Sequence, residues 1–194
     1  EIVRPGVSRE LLPDGLNWPL GLAMSEDGVL VVADGPFTYA LRPGGELTLA
    51  GMLFTPGCPG YNRGVAACGP GELIVTTANG QVARWRPAQR ESQVLADGFD
   101  RLYGVAIAPG GAVVFAEAGT GRVLSVRSGN IEELATGLRE PMGVALGPDG
   151  TCYVAESGGG RVVRLAGGHA ESVLDGLLEP QGILFCRGLL YVVD

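Results

Sequence analysis

The stretch from Glu140 to Leu165, EPMGVALGPDGTCYVAESGGGRVVRL, decides the fold. Gly143–Gly147 (GVALG) reads as a short apolar strand. Pro148-Asp149-Gly150 reads as a tight turn, because proline fixes φ and Asp-Gly tolerates the positive φ of hairpins. Thr151–Glu156 (TCYVAE) is rich in β-branched and aromatic residues, which suit a pleated, buried surface. The glycines of Ser157–Gly160 reverse the chain, and Arg161–Leu165 (RVVRL) runs back out. A further run, Ala170–Leu174, follows Gly167-Gly168, so about forty residues hold four antiparallel strands.

The rest of the chain copies this unit. Each copy can be counted from the glycine that opens its first strand: Gly21, Gly64, Gly104, Gly143 and Gly182, at spacings of 43, 40, 39 and 39 residues. A period near forty with four strands per unit predicts a β-propeller, each unit one blade. Helical repeats of similar length are excluded, because no stretch between the Gly and Pro clusters is long enough for a stable helix. Thirteen residues after each opening glycine stands Asp34, Thr77, Glu117 or Glu156, and Asp194 follows Gly182 by twelve. Arginine follows five residues later in Glu117–Arg122 and Glu156–Arg161. A charge pair that repeats with the blade reads as scaffold rather than catalysis.

The spacings predict an all-β fold, a single propeller domain over residues 1–194 with about five four-stranded blades. Ile2–Gly21 aligns with Val162–Gly182 through a shared apolar-Arg step, an Asp-Gly-Leu step and a final Pro-x-Gly. The chain therefore begins with the outer strands Ile2–Arg4 and Arg9–Leu12 of a split blade. Two arrangements satisfy this: a ring closed as five blades, or an excerpt of a larger, six-bladed one. In the second case any signal peptide lies outside the sequence.

Composition narrows the partners. The 194 residues carry 33 Gly, 13 Pro and a net charge of −7. There is no basic stripe with interleaved aromatics and no apolar run of membrane-spanning length, so nucleic acid and membrane are poor partners. The four cysteines, Cys58, Cys68, Cys152 and Cys186, form no C-x-x-C pair, which argues against a zinc site and leans toward a reducing, cytoplasmic compartment. Cys152 reads as a buried hydrophobe, and Cys58, in the long loop Leu53–Arg63, reads as the accessible thiol. The single histidine, His169, falls in an outer-strand turn at the rim, and no G-x-S-x-G elbow accompanies it. No catalytic residue can be assigned.

The phrase P-x-G-V-A-x-x-P-D-G-x-x-Y-V-A-E-x-G-x-x-R-V resembles the NHL-repeat propellers. It also resembles the related superfamily of senescence marker protein/gluconolactonase, strictosidine synthase and virginiamycin B lyase. The resemblance covers nearly the whole chain and implies the fold. Activity varies among such propellers and lives in the site. In the lactonase branch, the resemblance implies a divalent metal held by Asn or Asp just before opening glycines. The matching positions here are Leu20, Arg63, Tyr103, Met142 and Gln181, none of them Asn or Asp, so no metal or other cofactor is expected from them. The lyase branch uses histidines, and this chain offers only His169.

The leading expectation is an NHL-type recognition scaffold. Asn17, Trp18, Leu20, Asn62, Arg63, Tyr103, Met142 and Gln181 would line a mostly apolar cup at the channel mouth. It would take a small organic ligand, anionic or lactone-like, or a peptide. Packing where blades meet is the bland alternative for Trp18, Leu20 and Met142. Arg63 is set apart, because no other unit places a charge at that position. The competing class is a metal-dependent hydrolase, lactonase or lyase, with Ca2+ or another divalent cation held by blades outside this sequence.

Overall fold

The computed structural model describes the backbone of residues 2–4 and 7–9, and residues 16–25, 27–186 and 188–194 in full. Four meanders of four antiparallel strands follow one another. Blade I is β3 (Pro19–Met24), β4 (Leu30–Asp34), β5 (Phe37–Leu41) and β6 (Leu47–Met52). Blade II is β7 (Asn62–Gly69), β8 (Glu72–Thr77), β9 (Val82–Arg86) and β10 (Glu91–Ala96). Blade III is β11 (Leu102–Ile107), β12 (Val113–Glu117), β13 (Arg122–Arg127) and β14 (Asn130–Ala135). Blade IV is β15 (Pro141–Leu146), β16 (Cys152–Glu156), β17 (Arg161–Ala166) and β18 (His169–Asp175).

Two hairpins complete the description, β1 (Ile2–Arg4) with β2 (Val7–Arg9), and β19 (Gly182–Cys186) with β20 (Leu189–Val193). The expectation of about five blades thus resolves into four complete blades and two separate two-stranded sheets. The expected outer strand Arg9–Leu12 is met only at Arg9, where β2 ends; its remaining residues lie outside the described ones. Among the described residues the helical content is limited to the 3-10 turns Pro87–Gln89 and Ser157–Gly159.

The core is a series of layers between successive blades, and the period of two in the second strands builds it. Val113 and Phe115 face blade II, where they pack with Ile74 and Val82. Val114 and Ala116 face blade IV, where they pack with Val144, Val154 and Val163. A third layer joins Val31 and Ala33 of blade I to Val65, Val75 and Trp85 of blade II. Each second strand is covered on both faces, which is why it reads as a continuous apolar run rather than an alternating one. Phe99 meets Phe115 edge-on at 4.9 Å between centroids, closing the layer beneath the loop that leads into blade III.

The inner strands start earlier than the glycine count predicts. β3, β7, β11 and β15 each begin two residues before the opening glycine. The glycine marks a contact instead. A Cβ on Gly21 would stand 2.8 Å from the Arg63 carbonyl oxygen, and one on Gly104 would stand 2.6 Å from that of Met142. Gly64 and Gly143 are tighter still against the Tyr103 and Gln181 carbonyls. Neighbouring inner strands therefore touch backbone to backbone, and only glycine leaves room. Among the described residues Gly182 has no carbonyl against it; its nearest neighbour is the Val193 side chain, 3.4 Å from an added Cβ.

Candidate functional site

The acidic position after each second strand resolves first, because it holds the loops that frame the site. Asp34 accepts the backbone N–H groups of Asn17, at 3.0 Å, and of Trp18. Glu117 accepts the Asp100 N–H at 2.8 Å, Glu156 accepts that of Arg139 at 2.7 Å, and Asp194 accepts those of Leu178 and Glu179 at 3.0 and 2.7 Å. Each carboxylate thus pins the loop that leads into its own blade. The second oxygen of Glu117 takes the Arg122 Nε at 2.8 Å, and that of Glu156 takes the Arg161 Nε at 2.6 Å. The scaffold role read from the Glu–Arg spacing is what the geometry shows, with a backbone partner added.

Burial alone would push the Glu117 carboxyl above its ordinary range. Hydrogen bonds from Thr120, the Asp100 N–H and Arg122 outweigh it, and the pKa lies below the ordinary value. Burial lifts the Cys152 thiol to about 12, and burial together with the Glu72 carboxylate lifts Cys68 to about 12, so neither is a nucleophile near neutrality. The expectation that Cys58 is the accessible thiol is corrected. Cys58 is half-buried against the blade I–II layer, with its pKa raised by burial, and Cys186 is the exposed cysteine. His169 is exposed at the β17–β18 turn, as expected.

Leu20, Arg63, Tyr103 and Met142 share one structural device. The ladder between first and second strand slips between Pro19 and Gly21, between Asn62 and Gly64, between Leu102 and Val105, and between Pro141 and Gly143. These four residues occupy the slips. A bulge leaves its extra residue unpaired and re-aims its side chain, which is why such positions recur at sites. Gln181 precedes β19 at the equivalent place, with its N–H on the Val193 carbonyl at 2.9 Å.

Arg63 and Tyr103 are brought together. The Arg63 guanidinium lies over the Tyr103 ring, 4.8 Å from its centroid. Tyr103 is itself held across the blade boundary: the Thr76 hydroxyl donates to its carbonyl at 2.5 Å and accepts the Gly64 N–H at 2.9 Å. Nη1 of Arg63 is buried and has no hydrogen-bond partner among the described residues. Among the described residues no carboxylate stands within ion-pair distance of Arg63. Leu20 and Met142 are half-buried and Gln181 is exposed.

Asn62 is placed elsewhere. It is 2% exposed and reaches into the boundary with blade I, where Nδ2 donates to the Thr38 hydroxyl at 3.2 Å while Oδ1 has no partner. Asn17 and Trp18 sit on the loop pinned by Asp34, and Trp18 is 65% exposed. The long loop packs on its neighbours along its length. Gly57 packs on the backbone of Arg90 at the β9–β10 turn, and Tyr61 sets its hydroxyl above Gly35. Only the end of that loop, where β7 begins, enters the ring. A shallow hollow of about 440 Å3, lined by Arg127, Asn130 and Glu132, lies on the outer hairpin of blade III and includes none of these residues.

The donor set does not suit a hard divalent cation. The ring positions supply an arginine, two apolar side chains, a phenol and one amide, whereas such a cation wants several oxygens with carboxylates among them. The carboxylates closest in register, Asp34, Glu117 and Glu156, are already spent on backbone N–H groups.

No family model and no curated protein matches the sequence. Solved structures do match in fold. Virginiamycin B lyase from Staphylococcus aureus superposes with a TM-score of 0.73 at 18% identity, over 95% of this chain and 66% of that one. A gluconolactonase from Xanthomonas campestris gives 0.76 at 20% identity, over 92% of this chain and 70% of that one. A chain of a nidogen/laminin complex gives 0.79 at 20% identity, over 91% and 72%. The chain thus spans about two thirds of the lyase's length. These likenesses establish the fold expected from the sequence resemblance: the β-propeller shared by virginiamycin B lyase, gluconolactonase and related proteins.

Proposed function

We propose that this propeller is a recognition scaffold whose channel mouth binds a small organic anion or carbonyl-rich molecule, anchored by Arg63. One observation carries the reading: a guanidinium held on the face of Tyr103 with its Nη1 buried and, among the described residues, unbonded and without a carboxylate. A buried donor left unpaired is costly, and a carboxylate or phosphate matches the guanidinium fork through two parallel hydrogen bonds. The bland account is that the Tyr103 ring satisfies Arg63 by itself. Tyr103 and Gln181 serve as neutral hydrogen-bonding neighbours in this reading, and a peptide carboxylate fits the same chemistry. Titration calorimetry with acetate separates the accounts. Heat that saturates in the wild type and vanishes in Arg63→Met, with the circular dichroism unchanged, supports the site; equal behaviour of the two proteins removes it.

The second reading is a hydrolase or lyase, and it rests on the fold shared with the lyase and the gluconolactonase. It requires metal ligands that the ring positions of this chain do not supply. Calcium or manganese titrated into this chain should show no site tighter than about millimolar, since the weakest oxygen-ligand sites of that strength still use carboxylates.

A further inference from the structure

Resting on that reading of Arg63, we infer that the site selects an apolar, preferably aryl, carboxylate over a polyhydroxylated acid. The reason is the make-up of the ring around the cation. Leu20 and Met142 are half-buried at the same bulge position as Arg63, and the Tyr103 ring face is already turned to the guanidinium. Beside Arg63, the ring positions before the opening glycines offer as hydrogen-bonding side chains the Tyr103 hydroxyl and the Gln181 amide. A polyol taken into such a cup loses water from several hydroxyls and regains few partners, at a cost for each one left unmade. An apolar body loses only water that it gains by shedding.

Trp18 supplies the surface on which that body lies. It is 65% exposed on a loop that the Asp34 carboxylate holds in place, so the indole is presented by a fixed backbone. Three residues further on, Gly21 meets the Arg63 carbonyl, which places the Trp18 backbone within about 17 Å of that of Arg63. The Arg63 and Trp18 side chains, with a carboxylate and an aryl group two or three carbons apart between them, together span that distance. The second tryptophan, Trp85, is 1% exposed in the blade I–II layer, so ligand-dependent change in indole emission reports on Trp18.

The test titrates the intact chain with sodium acetate, gluconate and 3-phenylpropanoate, all monoanions, by calorimetry and by tryptophan emission. The inference expects 3-phenylpropanoate to bind at least about tenfold more tightly than gluconate, to perturb the emission, and to lose that advantage in Trp18→Ala. Equal affinities for all three acids, each abolished by Arg63→Met, would overturn the selectivity and leave the Arg63 site standing. Tighter binding of gluconate would overturn it as well. If none of the three binds, the site and the selectivity fall together.

Discussion

Blades II and IV are built to one plan and differ at one register position. In blade IV, Glu156 lies buried after the second strand, ties down the Arg139 N–H seventeen residues earlier and holds Arg161 on its other oxygen. In blade II the equivalent residue is Thr77, equally buried, and the residue seventeen earlier is Gly60. The Thr77 hydroxyl turns instead to Asn79 and to the Gln81 N–H within its own turn. A Cβ at Gly60 would stand 3.7 Å from the Thr77 Cβ, so the loop passes close where the other blades interpose a carboxylate. Blade II is also the blade approached by the longest loop and the one whose bulge residue is an arginine without a carboxylate. In blade IV the buried Glu156 is met by Arg161. In blade II, among the described residues, Arg63 has no carboxylate within ion-pair distance.

The largest effect tests what the two blades share. Gly64→Ala and Gly143→Ala should each destabilise by several kcal/mol or prevent folding, because the new methyl meets a backbone carbonyl that cannot retreat. Gly182→Ala, with only a side chain nearby, should cost less than about 1 kcal/mol. Urea denaturation of the three variants decides the point, and equal costs would remove the contact as the reason for the repeat.

The next effect tests where they differ. Glu156→Ala should cost about 3 kcal/mol, since it strips a buried partner from Arg161 and from a backbone N–H. Thr77→Ala should cost about 1 kcal/mol, the ordinary value of a local hydrogen bond. In thermal melts of a chain this size the first is a fall of roughly 6–12 °C. If the two variants melt together, the latch is not what separates these blades.

The latch also sets a dependence on acid. The pKa of Glu117 in the folded chain lies below its ordinary value of 4.5. Its stabilising contribution is complete above that value and is lost as pH falls through the depressed one. Thermal midpoints should therefore decline on the acid side of 4.5, and Glu117→Gln should flatten that decline while leaving a lower plateau near neutrality. The smallest effect on stability belongs to Arg63→Met, within about 1 kcal/mol, because only the ring contact with Tyr103 is lost. A larger fall would make Arg63 part of the scaffold like Arg161.

The repeat was legible because strand pairing within one blade is a local matter and every blade is covered by its neighbours in the same way. A strand covered on both faces must be apolar along its length, as in Val113–Ala116, and most turns place a glycine where φ turns positive, Arg90 and Ser128 being exceptions among the described residues. The Glu–Arg pairs were legible for the same reason, since the turn between the second and third strands sets the residue five positions on directly opposite. The site was legible only as a set of positions. The residue before each opening glycine marks the ring, but nothing in the string separates Arg63, aimed onto Tyr103, from Asn62, one residue earlier and drawn against Thr38.

What the sequence by itself determined is the period, the strand pairing inside each blade and the places that tolerate no side chain. The tertiary structure decided why those places exist and what the charges do. Gly64 needs its bare Cα because of a carbonyl at Tyr103, and Glu156 spends an oxygen on an N–H at Arg139. Arg63 rests on a ring forty residues away. Each depends on how one blade leans on the next or on the loop between them, an angle set by the packed layers rather than by neighbours in the chain.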